Sequence, residues 1–278
     1  MSRRWCPICA VAVAYVALWC VGQRSTVVVE RFEAPANDDV VEPSGGLTGR
    51  VVFAGEIPER RVVVKAGNPG VDGFCCSYDI LSDELIVNPD DRGVMHAFVY
   101  LRSRIPPEEF PPGLREPVDA AVEVEVEGCQ FRPHTSIIRT GQAIEVTSSD
   151  ATPHAVQPLP LFNSSQGGAI PFDFNSADPK PVGSLTIEAY TSRERVPFEV
   201  QCMHHAWMSA YWLVLDHPYA AVTDSHGRFT ITGLPVGEHD FIVWHELAGF
   251  IRKKLSVTIR DAETTELKDI TVAAGRFR

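Results

Sequence analysis

The chain is short of basic residues: 25 Lys and Arg stand against 36 Asp and Glu in 278 residues, a formal charge of −11. No basic stripe is left over to neutralise phosphates, which excludes nucleic acid as a partner. A sustained 3.6-residue hydrophobic period is also missing, so long amphipathic helices are not expected. Nothing has the arrangement of a serine or cysteine hydrolase, and no second histidine cluster with metal-site spacing accompanies the one described below. Long apolar runs are absent except for one, Trp5 to Gly22.

That run follows Ser2-Arg3-Arg4, and a basic start before an apolar stretch has the form of a secretory signal or an uncleaved N-terminal anchor. At 18 residues it lies at the lower limit for spanning a bilayer, so length does not separate the two. Trp19 is too bulky for the small-residue cleavage site that a lipid-modified Cys20 would need. Residues 1–24 are therefore expected to export the protein to the periplasm or cell envelope, with membrane attachment through residues 5–22 if the segment is retained. Residues 25–45 carry Glu, Asp, Pro and Ser without periodicity and end in Ser44-Gly45-Gly46, the composition of a tether.

Beyond it, strand-like runs recur at short intervals: 49–53, 61–65, 84–87, 97–101, 122–127, 144–147 and 185–189. Gly, Pro and Asp punctuate them, so the class is all-β. In Val122-Glu123-Val124-Glu125-Val126-Glu127 strict alternation puts the valines on one face and the carboxylates on the other, the pattern of a solvated sheet surface rather than of a catalytic pair. The proline-rich segment 105–113 is expected to be an exposed loop.

Chemistry concentrates in Cys202-Met203-His204-His205-Ala206-Trp207-Met208. Alternation through Phe198-Glu199-Val200-Gln201-Cys202 places the thiol on the inward face at a strand end. There burial alone raises its pKa, and a metal would be needed to ionise it. The turn back to Tyr211-Trp212-Leu213-Val214-Leu215 lets His205 and Met208 point at one ion. Thiolate, imidazole and thioether together select copper among soft-metal sites, and a thioether would be poorly used by zinc. The missing imidazole is expected from His154, in the polar turn Ser148-Ser149-Asp150-Ala151-Thr152-Pro153-His154.

Asp150-x-x-Pro153-His154 with Cys202-x-x-His205-x-x-Met208 resembles the cupredoxins, the blue-copper proteins, and the short gap from His205 to Met208 looks most like their amicyanin branch. Phe131-x-Pro133 followed by Ile137-Ile138-Arg139-Thr140-Gly141-Gln142 resembles the strand and glycine turn that precede the first copper histidine in plastocyanin-like members. The likeness covers roughly residues 129–216. It implies a Greek-key β-sandwich holding one copper ion on His154, Cys202, His205 and Met208, with His205 near the surface as the electron exit beside Ala206 and Trp207. His204 adjoins His205, and the family spacing selects the latter. The longer stretch between His154 and Cys202 is expected to cover the copper or to form a partner surface.

From Pro218 the pattern changes. Thr223-Asp224-x-x-Gly227-x-Phe229 and Leu234-Pro235-x-Gly237 resemble the small carboxypeptidase-regulatory-like, or transthyretin-like, sandwich. The expected domains are thus a copper domain over 46–216 and a smaller sandwich over 217–278, with 46–65 available to pair with the latter. Sixty residues are marginal for an independent core.

Cysteine usage agrees with export. Cys6, Cys9 and Cys20 lie in the leader, Cys202 is assigned to metal, and Cys75 or Cys76 can bridge to Cys129, closing a loop that would stabilise the fold by about 4 kcal/mol. Of the other histidines, His134 is a candidate support or alternate ligand with strand packing as the simpler role. His245 is read as a structural hydrogen bond at a strand end, with an orienting pair with Glu246 as the alternative, and His96, His217, His226 and His239 are expected in solvent.

Together these features imply an exported mononuclear copper protein that carries single electrons and is not an enzyme. Its acidic body would steer redox partners with a basic docking surface. The rival expectations are a copper-binding or delivery protein, and a structural or carbohydrate-binding envelope protein without redox activity.

Overall fold

In a computed structural model the described residues are 44–277, except 167, 169 and 172–182; the leader Trp5–Gly22 and residues 25–43 of the expected tether lie outside them. Among the described residues no helix is long and apolar enough to cross a membrane. The fold is all-β, as the turn-punctuated strands require. The described residues all fall in one compact unit.

Four main sheets stack with three apolar layers between them. The first sheet runs Gly183–Ile187, Ala143–Ser148, Ala121–Val126 and Phe131–Arg132. The second runs Ile170–Pro171, Ala155–Pro158, Phe198–Cys202, Ser209–Leu215 and Thr135–Arg139. Val124, Val126, Ile144 and Val146 of the first meet Val156, Phe198, Val200 and Trp212 of the second in a closed core, while Glu123 and Glu125 are exposed on the outer face. Cys202 and Met208 lie in this same core.

The third sheet runs Ala220–Val222, Phe98–Leu101, Gly237–His245 and Gly249–Ile259, and the fourth joins Arg228–Pro235, Ser44–Ala54, Thr264–Glu266 and Ile270–Ala273. Leu47, Val51 and Phe53 pack on Val99, Leu101, Phe241 and Val243 to form their core. The Phe98–Leu101 strand is buried on both faces, because Phe98 and Tyr100 turn the other way and meet Leu213 and Leu215 from the back of the Ser209–Leu215 strand. That middle layer joins the two sandwiches.

The sheets divide the chain differently from a cut at residue 216. Ser44–Ala54 pairs antiparallel with Arg228–Pro235 and parallel with Thr264–Glu266 and Ile270–Ala273, and Phe98–Leu101 also lies in the second sandwich. The tether expected to reach residue 45 therefore gives way to strand already at Ser44. The run 84–87 is not a strand; only Val87 makes an isolated bridge, to Val94. Two of the histidines expected in solvent, His96 and His217, are buried, at 8% and 0% exposure.

The Asp224 to Gly227 turn shows how closely the second sandwich is fitted. Asp224 accepts from the backbone N–H groups of His226 and Arg228, and Gly227 takes a φ of +70°. A Cβ there would fall 2.2 Å from the carbonyl oxygen of Val51. Replacing Gly227 by Ala is expected to cost about 2–4 kcal/mol, from left-handed backbone strain plus the clash. Denaturant unfolding checks the loss, and metal binding in the folded fraction is expected to be unchanged because the turn belongs to the other sandwich.

Candidate metal centre

Strand pairing builds the site. The Phe198–Cys202 strand lies antiparallel to Ala155–Pro158 with Cys202 opposite Val156, so His154, one residue before that neighbouring strand, arrives beside the thiol. The ligand loop then closes on itself: Cys202 N–H donates to the Met208 carbonyl and Met208 N–H to the His205 carbonyl, at 3.1 and 3.0 Å. Met203 N–H donates to the Ala155 carbonyl, which ties the loop to the His154 side.

The donors converge. Cys202 Sγ lies 3.8 Å from His154 Nδ1 and 3.7 Å from His205 Nδ1, and the two Nδ1 atoms are 3.2 Å apart. All three residues are buried. A point equidistant from the three atoms is about 2.1 Å from each, the length of a metal–imidazole bond and slightly below that of a metal–thiolate bond. The donor set therefore fits a soft or borderline ion in a trigonal plane. Met208, 2% exposed, closes the same loop.

Each imidazole is also braced from behind. His154 Nε2 is 3.0 Å from Asp150 Oδ2, and His205 Nε2 is 3.0 Å from Asp72 Oδ2. A carboxylate on the distal nitrogen holds the proton there and turns the Nδ1 lone pair inward, the arrangement that orients histidine ligands. Asp150 accepts in addition from the N–H groups of Gly128 and Cys129, both at 2.7 Å.

Burial pushes the Cys202 thiol up, but hydrogen bonds from His154, His205 and the backbone N–H groups of Ala155 and His204 outweigh it and bring the pKa down to about 5. For His154, burial pulls downward while Asp150 and the Cys202 sulfur lift it to about 9. Both shifts run in the direction that favours an ionised thiol beside a protonated imidazole. The direction differs from the one expected of burial alone, because hydrogen bonds from the two imidazoles, supplied by segments the sequence does not place together, oppose desolvation.

The surroundings of the centre bear on the remaining expectations. His205 lies near the surface as expected of it, 6% exposed beneath Asp72 and lining a hollow beside the exposed Ala206 and the half-buried Trp207, whose ring is 4.9 Å from its own. Among the described residues Asp72 of the segment 70–72 lies over His205, while residues 167, 169 and 172–182 of the stretch expected to cover the copper or form a partner surface lie outside the described residues. A hollow of about 340 Å³ lined by Val71, Asp72, Pro153, His204, His205 and Trp207 marks the remaining approach. His134 is not a ligand but pairs with Glu246, both side chains buried, and His245, at the end of the Gly237–His245 strand, makes the expected structural hydrogen bond by accepting from the Leu247 N–H rather than pairing with Glu246. The disulfide choice is Cys75 with Cys129, leaving Cys76 free.

The sequence matches no protein-family model and no curated protein. Among solved structures, an oxidised amicyanin variant is 16% identical over 42% of this chain and 98% of its own, with a TM-score of 0.26. A fern plastocyanin mutant is 19% identical over 34% and 100%, at 0.27. A purple cupredoxin from Nitrosopumilus maritimus is 14% identical over 34% and 99%, at 0.24. Likeness this faint carries no assignment, which stands on the side chains alone. Nothing in these comparisons supports the carboxypeptidase-regulatory-like resemblance of residues 217–278.

Proposed function

We propose that this chain is an exported mononuclear copper protein that passes single electrons between partners, with His154, Cys202, His205 and Met208 as the residues that would hold the copper. The observation that carries this reading is the convergence of one thiolate and two carboxylate-braced imidazoles on a point about 2.1 Å from each. Bound there, copper would supply a one-electron couple.

The protein's own part is to hold the donors still. Cys202 is fixed by strand pairing, His154 by Asp150 and His205 by Asp72, so little rearrangement accompanies a change of charge. Val156, Val200 and Trp212 keep water from the inner side of the centre. Three buried donors with two braced imidazoles favour retention of the ion, which speaks for carriage of electrons over delivery of copper. The Cys75–Cys129 disulfide suits the oxidising compartment that the leader implies. With a formal charge of −11, the chain would attract a redox partner with a basic docking surface.

Titration of the full chain with Cu(II) tests the proposal. The wild type is expected to develop an intense visible thiolate-to-copper band at one equivalent, and Cys202→Ser to lose it. Full copper occupancy without colour would overturn the blue-copper assignment, and faster transfer of copper to a chelator than of electrons to a redox dye would favour delivery instead.

A further inference from the structure

We propose that Asp72 is a positioning residue for His205, and that the Cys75–Cys129 disulfide is the bracket that holds it in place. The proposal rests on the metal-centre reading for its purpose, but its geometry stands independently. Asp72 divides its carboxylate between two tasks. Oδ1 accepts from the N–H groups of Phe74 and Cys75 at 3.1 and 3.0 Å, which closes a tight turn, and this leaves Oδ2 facing His205 Nε2. Burial works against the ionised form, yet these hydrogen bonds and the His205 ring keep the carboxyl below the usual carboxylate range.

The turn would have little else to hold it over the metal loop. Residues 66–70 are exposed, and apart from Cys75 the segment packs toward the core only through the half-buried Val71, Phe74 and Cys76. Cys75 supplies the missing anchor. Its Sγ lies 3.7 Å from His205 Nε2, and its bonded partner Cys129 sits on the other brace: Cys129 N–H donates to Asp150 Oδ2, the same oxygen that faces His154 Nε2. Trp207 completes the bracket by donating its indole N–H to the Cys129 carbonyl while its ring lies against His205. One covalent bridge therefore links the carboxylates behind both histidines. Distal partners of this kind are worth roughly 10- to 100-fold in metal affinity.

The test uses the full chain with Co(II) as the probe, read by competition against a chelator, and NMR of the His205 Nε2 proton in metal-free protein. Asp72→Ala is expected to weaken Co(II) about 10- to 100-fold and to expose the Nε2 proton to rapid exchange, and Asp72→Asn, which keeps an acceptor oxygen, to recover part of both. Cys75→Ala/Cys129→Ala with Asp72 intact is expected to reproduce the Asp72→Ala loss, and the triple variant to add little to it, because both changes remove one contact. Affinity within twofold of wild type and an unchanged Nε2 proton in folded Asp72→Ala would overturn the positioning role. An intact Nε2 signal in the disulfide variant would overturn the bracket. A wild type that binds neither Co(II) nor Cu(II) would defeat the metal reading, and the proton measurement would then still decide the role of Asp72.

Discussion

Acidification from pH 7 to about 4.5 is expected to remove roughly 6 kcal/mol of stability through three histidines far from surface water. Burial, with smaller repulsion from neighbours, pulls His96 down to about 3 and His217 and His245 to about 4. For His96 and His245 the neighbour is His134, and for His217 it is Arg193. In the unfolded chain each returns to about 6.5, so between about 6.5 and 4 the unfolded state binds more protons than the fold. The contribution is complete above pH 6.5 and lost as pH falls toward the folded values, at up to about 1.4 kcal/mol per pH unit for each ring. Cys202, ionised in the fold down to about 5, adds to the loss in the same direction. Urea midpoints at pH 7, 6, 5 and 4.5 measure it. A flat profile between 7 and 5 would contradict the assignment, and a conservative change such as His217→Gln is expected to flatten part of the slope.

Replacing Asp150 by Ala is expected to cost about 3–5 kcal/mol, because the side chain is 2–3% exposed and three groups lose their acceptor at once. The N–H groups of Gly128 and Cys129 and the ring of His154 would be left facing a cavity. Asp150→Asn keeps one oxygen but turns an amide toward a donor, so an intermediate loss is expected. Denaturant unfolding gives the stability change, and chelator competition shows weaker metal binding as His154 loses its orientation. A loss below about 1 kcal/mol in Asp150→Ala would mean that water replaces the carboxylate at low cost.

Several of these groups could be read from the chain. Alternation marked Val124 and Val126 as core and Glu123 and Glu125 as surface, and the ligand spacing brought out His154, Cys202, His205 and the buried Met208. What stayed hidden involves partners supplied by distant segments. Asp72 lies 133 positions from His205, and no periodicity or spacing ties the two. The only clue was the expected bridge to Cys129, which did not distinguish Cys75 from Cys76. His96 and His217 looked exposed because polar residues at strand ends usually are. The stacking of one sandwich on the other buries them, and that contact has no local signature. Phe98–Leu101 likewise reads as one apolar run, and the run does not say that its two faces serve different cores.

The long strand Ser44–Ala54 has its neighbours in 228–235, 264–266 and 270–273, so it emerges from the ribosome well before the segments that will cover it. The metal donors and the carboxylates behind them, from Asp72 to Met208, are made earlier. Vectorial synthesis or secretion would therefore complete the donor set while the Ser44–Ala54 strand still waits for its partners, leaving an unpaired strand edge that must be shielded until they follow.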